Sequence, residues 1–200
     1  MSPNSQPETA IRTEPETTFG YAVVEQALMA VHGFVEHKRG AFRARLIHFQ
    51  RLKIVPTAPG KGRRIAYRME DIFRWAIALE FAEFGIDPTE IKKILDLNWP
   101  AIAHAVLEPN GEHDKYLFFH PKLLGRLSRE EERETSDRPG APYSVRTAII
   151  SDLGELNQPA KTAMARTSLD DDRARYGMIN LSRLREQVEA KLIHFSQVRE

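Results

Sequence analysis

Residues 37–68 read HKRGAFRARLIHFQRLKIVPTAPGKGRRIAYR. The window holds Lys38, Arg39, Arg43, Arg45, Arg51, Lys53, Lys61, Arg63, Arg64 and Arg68, and not one Asp or Glu. A surface selected only for solubility mixes both signs, because Glu serves that purpose as well as Lys. Exclusion of every carboxylate fits a polyanionic partner instead, since a phosphate backbone rewards each cation through counterion release and penalises each nearby acid. Most of these cations are Arg, the better donor to phosphate and guanine edges. Within the window Phe42, Leu46 and Phe49, with Ile47, recur at helical spacing, and Arg43, Arg45, His48 and Arg51 take the other positions. The spacing predicts a helix over about 41–51 with a core face and a cationic face. Pro56 should end it around Leu52–Pro56, because Val55 before a proline is pushed away from helical angles. Pro59-Gly60-Lys61-Gly62-Arg63-Arg64 followed by Ile65-Ala66-Tyr67 reads as a tight turn running into a strand, a short hairpin over 59–67 with a basic tip.

Outward from this window the flanks read mostly as helices. Val23, Val24, Ala27, Leu28 and Val31 predict an amphipathic helix from Phe19 to about Val35, with Gly33 as its break. After the hairpin, Glu70 and Asp71 place negative charge in a first helical turn. The run Ile72, Phe73, Trp75, Ala76, Ile77, Leu79, Phe81 and Phe84 then predicts a buried helix capped by Gly85. Asp87, Pro88 and Glu90 form a start signal for the next helix, with Ile91, Ile94, Leu95 and Leu97 as its inner stripe. Pro100 to Leu107 reads as a further short helix, and Glu108-Pro109-Asn110-Gly111 as a domain boundary. Beyond it Tyr116–His120, Tyr143–Ile150 and Gly177–Leu181 read as strands, Glu130–Asp137 as a charged loop or helix end, and Ser182 to about Val198 as a closing helix. The expected fold class is mostly α with small β. Residues 1–17, rich in Pro, Ser, Thr and Glu, read as a disordered tail. Residues 18–108 read as a helical domain, and 112–200 as a small C-terminal α+β domain whose role the sequence does not disclose.

The bulk charge conceals this organisation. The 200 residues have a net charge of +1, yet segments 1–36, 37–68, 69–136 and 137–200 carry −4, +10, −6 and +1. There is no cysteine, which excludes disulfide frameworks, thiolate metal sites and cysteine nucleophiles. No run approaches the ~18 apolar residues of a spanning helix, and the polar N-terminal stretch reads as neither signal peptide nor anchor. The expectation is a cytoplasmic protein without membrane attachment.

The order helix, turn, cationic helix, basic hairpin, buried helix, capped helix is that of a winged helix-turn-helix module. The stretch from about residue 24 to residue 96, about a third of the chain, resembles the DNA-binding domain of MerR-type transcriptional regulators. The resemblance rests on Phe49-Gln50-Arg51-Leu52-Lys53-Ile54-Val55-Pro56, Gly62-Arg63-Arg64-Ile65-Ala66-Tyr67, Glu70-Asp71-Ile72 and Phe84-Gly85-Ile86-Asp87-Pro88-Thr89-Glu90-Ile91-Lys92-Lys93-Ile94-Leu95. The family commonly has an arginine and aromatic residues in its recognition helix and a glycine just after it, whereas Ile47, His48, Phe49 and Lys53 stand here. Family members also continue into a long coiled-coil helix that makes the dimer. Pro100 and residues 108–111 interrupt that continuation, so a homodimer would form through the C-terminal part.

These readings together imply a DNA-binding transcription regulator with a recognition helix near 41–51 and a basic wing near 59–67. Its contacts to double-stranded DNA would be Lys38, Arg39, Arg43, Arg45, His48, Arg51, Lys61, Arg63, Arg64 and Arg68. The alternative is a protein-interaction adaptor that docks its basic face on an acidic partner such as RNA polymerase. Phe42, Leu46, Phe49, Tyr67, Trp75 and Phe81 are expected in the core. His113-Asp114 with His120, and His32 with His37, match no compact zinc signature. Neither a nucleophile elbow, a phosphate-cradling loop nor HExxH occurs, and Asp170-Asp171-Asp172 reads as a solvated loop. No metal, cofactor or catalytic activity is expected.

Overall fold

The structure, a computed structural model, describes residues 17–55, 66–108, 114–119, 148–151 and 177–198. It is mostly helical with two small antiparallel sheets. In chain order the elements are β1 (Thr18–Gly20), α1 (Tyr21–Val31), a 3-10 turn (Glu36–Lys38), α2 (Arg39–Arg51), β2 (Ala66–Arg68), α3 (Met69–Glu83) and α4 (Pro88–Leu107). There follow β3 (Tyr116–Phe119), β4 (Ala148–Ser151), β5 (Gly177–Asn180) and α5 (Leu181–Gln197). The expected wing tip from Pro59 to Arg64, residues 1–16 of the expected tail, Glu130–Asp137, residues 143–147, His113, His120 and Asp170–Asp172 lie outside the described residues.

Three successive helices end in the same way. Beyond α1 the Phe34 amide donates to Met29 O at 2.9 Å, beyond α2 the Ile54 amide to Phe49 O at 3.0 Å, and beyond α3 the Ile86 amide to Phe81 O at 3.2 Å. Each closure is the six-residue Schellman bond, which needs a left-handed residue just before the donor. Gly33 (φ 66°), Lys53 (φ 59°) and Gly85 (φ 74°) occupy those positions. Helix α2 finishes at Arg51, as expected, and is closed by this turn at Lys53, while Pro56, expected to end it, lies outside the described residues.

The first helix starts at Tyr21, later than expected, because Phe19 belongs to β1 and pairs with Tyr67 of β2 in an antiparallel two-stranded sheet. Among the described residues, the partner of strand β2 is thus far away in sequence, and the rest of the expected hairpin lies outside the described residues. Tyr67 is buried against Tyr21 and Trp75, with ring centroids 6.3 and 4.8 Å away.

Helix α4 runs unbroken through Pro100, where the sequence predicted a new helix. A proline inside a helix costs ~3 kcal/mol through its missing N–H and its ring. Burial on both sides of it offsets that cost: Ile91, Ile94 and Leu95 precede it, Trp99, Ile102 and Val106 continue the same stripe, and Trp99 Nε1 donates to Glu70 Oε1 at 2.6 Å. Leu97, expected in the inner stripe, is 68% exposed on the opposite side.

The second sheet has the order β4-β3-β5, antiparallel throughout. Leu117 and Phe119 of β3 are buried, and the Phe119 ring stands edge-on to Phe81 and Phe84 at the end of α3. Helix α5 lays Leu181, Leu184, Val188 and Leu192 into the core and packs against α1. Buried side chains from both sides of the expected boundary at 108–111 belong to a single cluster. The basic helix α2 therefore sits on a scaffold whose first helix is braced from behind by the last.

Candidate nucleic-acid interface

Helix α2 buries Phe42, Leu46 and Phe49, and this fixes which of its side chains can meet a partner. The residues opposite the buried stripe, Gly40, Ala44, Ile47 and Arg51, are exposed, as is His48 beside them. Ile47, expected with the apolar stripe, faces outward instead. The ridge is thus slim, with small side chains at its start and Arg51 at its end.

The arginines beside the ridge are not the free cations that an acid-free window suggests. Arg39 Nε donates to Glu25 Oε1 at 2.8 Å, Arg43 Nε donates to the same oxygen at 3.2 Å, and Arg43 Nη2 donates to Glu25 Oε2 at 2.9 Å. Arg39 Nη1 also donates to Glu36 Oε1 at 3.0 Å. Glu25 belongs to α1 and is fully buried. Burial pushes its carboxyl up, but the hydrogen bonds and charges of Arg43 and Arg39 outweigh that and hold it below the ordinary Glu value. Tyr21 lies in the same field: burial, and then the Glu25 charge, push its hydroxyl up to about 12.

On the other flank Arg45 Nη1 donates to Glu83 Oε1 of α3 at 3.1 Å, and its guanidinium lies over the Phe34 ring at 5.9 Å. Three of the expected DNA-contacting arginines are therefore tied to carboxylates from neighbouring elements. The sequence window lacks acids, but the folded surface around it does not, because Glu25, Glu36 and Glu83 fold back onto it.

The remaining expected contacts divide four ways. Lys38 and Arg51 are exposed and have no ion-pair partner among the described residues. His48 is exposed and acts weakly on Asp87, whose carboxyl is held low mainly by hydrogen bonds from Thr89. Arg68 is exposed at the start of α3, where its amide donates to Asp71 Oδ2 at 3.2 Å. Lys61, Arg63 and Arg64 lie outside the described residues.

No family model and no curated protein matches the chain.

Gln50 Nε2 donates to the Tyr67 hydroxyl at 2.9 Å, and this bond fastens the end of α2 to β2, the strand that leaves the basic segment. The end of α2 and β2 consequently form one edge. Sequence reasoning missed Glu25, Glu83 and Gln50 as parts of that edge. Glu25 did carry a signal, since a carboxylate between Val24 and Ala27 on an apolar face requires a cation from elsewhere. Among the described residues no group of three His, Asp or Glu could hold a metal, and no helix is long and apolar enough to cross a membrane.

Proposed function

We propose that the chain is a transcription regulator that binds double-stranded DNA through a MerR-like winged helix-turn-helix module, with α2 in the major groove and the basic segment before β2 against the adjacent backbone. The observation that carries this reading is the open ridge of α2: Gly40, Ala44, Ile47 and Arg51 are all solvent-exposed on a helix whose other side is packed into the core. Small side chains let a helix approach base edges closely, an isoleucine suits the thymine methyl, and an arginine suits guanine. The order strand, helix, turn, helix, strand, helix supports the same reading, as does the β1–β2 pairing that returns the chain to the base of α1.

The test is fluorescence anisotropy with a labelled duplex of arbitrary sequence, titrated at several salt concentrations. Binding at micromolar protein in low salt, with log K falling linearly against log salt, is the expected result. Arg51→Ala should reduce that slope by about 1. Absence of binding at low salt would remove the DNA reading and leave the adaptor, whose basic face docks on an acidic protein.

A further inference from the structure

The Glu25–Arg39–Arg43 cluster has a composition that a simple helix staple does not need. One carboxylate would hold α1 to α2 with one arginine, yet here two guanidiniums converge on it and share Oε1. The carboxylate is sealed from solvent, while 27% of the Arg39 side chain and 49% of the Arg43 side chain stay open. A molecule arriving at the surface therefore meets two guanidinium edges with the Glu25 carboxylate sealed behind them, and beside Arg39 the exposed Glu36 carboxylate bonded to its Nη1. Each guanidinium has five N–H donors in a rigid fork, and these ion pairs take only part of each fork. The donors are already oriented, so a ligand need not order two flexible side chains on arrival.

We infer that these two arginines form a built seat for one phosphodiester of duplex DNA, with Glu25 as the positioning residue that aims them. This rests on the DNA reading above and adds to it a phosphate contact at the start of α2, on the flank toward α1. Planar forks match phosphate oxygens in pairs, which a lysine ammonium cannot do. Arg45 lies outside the seat, on the opposite flank of α2, where it pairs with Glu83.

The sign of one substitution separates this seat from bulk electrostatics. Glu25→Gln removes a negative charge near a polyanion, so charge counting alone expects tighter binding. Positioning expects weaker binding, by about tenfold, with the salt slope reduced by about 1 as one phosphate contact is lost. Arg43→Lys keeps the charge and loses the fork, and several-fold weaker binding is expected.

Both variants are measured in the full chain by the same anisotropy titration, with circular dichroism to show that each is folded. A folded Glu25→Gln that binds as tightly as wild type, or tighter, overturns the inference; if that variant does not fold, Arg43→Lys decides, and wild-type affinity overturns it. Failure of the wild type itself to bind duplex removes the underlying reading and the seat with it. A last arm uses inorganic phosphate at constant ionic strength. Stabilisation of wild type by free phosphate with unchanged duplex affinity in Glu25→Gln would assign the site to a small anion and overturn the DNA assignment.

Discussion

Glu25 and Arg43 meet in a two-pronged pair across the α1–α2 turn, Nη2 donating to Oε2 at 2.9 Å and Nε donating to Oε1 at 3.2 Å. Because the carboxylate is buried, its charge is tolerable only while the guanidiniums remain. Arg39→Met combined with Arg43→Met should strand it and destabilise the fold by ~3 kcal/mol. The pH dependence should then reverse. In wild type the folded-state value of Glu25 lies below its unfolded one, so its stabilisation is present above the ordinary Glu range and is lost as pH falls through the folded value. In the double variant burial acts alone and raises the folded value, so the deficit should be largest near neutral pH and shrink on acidification. Urea midpoints at both pH values check this, and an unchanged deficit refutes it.

A second titration is set by His32. Its side chain is 3% exposed, with Nδ1 3.3 Å from Glu80 Oε1 of α3. Burial, followed by the charge of Arg45, pushes its imidazole down from 6.5 to about 4. The folded value is depressed, so the stabilisation is complete above the unfolded value and is lost as pH falls from about 6.5 toward about 4, by up to ~3 kcal/mol. Glu80 works in the opposite direction, since burial and then Glu83 raise its carboxyl. The comparison with His32→Gln isolates the histidine: the variant should show a flatter fall in urea midpoint between those pH values. Parallel curves would exclude His32 as the source.

The helices were legible because their signals are local. Asp87 accepts from the Thr89 amide at 2.8 Å, Pro88 begins α4 and Gly85 takes the left-handed cap, as the residue types demand. The core aromatics were legible for the same reason: Phe42, Phe49, Tyr67, Trp75 and Phe81 are all buried. What could not be read is non-local. The β1–β2 pairing joins residues far apart in sequence, and no periodicity within either three-residue strand announces it. The continuity of α4 through Pro100 depends on Glu70 and Arg74 gripping Trp99, a tertiary override of a local breaker. The cationic window was overestimated for that reason too: a count along the chain cannot see Glu25 or Glu83 fold onto Arg43 and Arg45.

Lys53 is the exception among the three left-handed caps, where Gly33 and Gly85 serve the other two helices. A Cβ in that region costs ~1 kcal/mol, which glycine avoids. Lys53→Gly should therefore stabilise the protein by up to ~1 kcal/mol in thermal or urea unfolding, less the greater chain entropy that glycine brings to the unfolded state. Lys53 is also exposed at the end of the proposed recognition helix. The same substitution should weaken duplex binding and lower the salt slope. Higher stability with an unaltered slope would show that Lys53 does not contact phosphate.

The second sheet offers a test of packing. Gly177 of β5 stands opposite Phe119 of β3, and a Cβ built on it would come within 2.1 Å of Phe119 Cζ. The Phe119 ring cannot simply swing away, because Phe81 and Phe84 hold it edge-on at 4.8 and 5.0 Å. Gly177→Ala should thus force either the strand or the ring to move and destabilise the fold by ~1–3 kcal/mol, the usual range for overpacking. Adding Phe119→Leu to Gly177→Ala frees the space and should recover part of the loss, so that the two substitutions together are less damaging than the sum of their separate effects. Thermal unfolding of the two single variants and the double variant closes the cycle. Simple additivity would mean that the sheet does not pack through this contact.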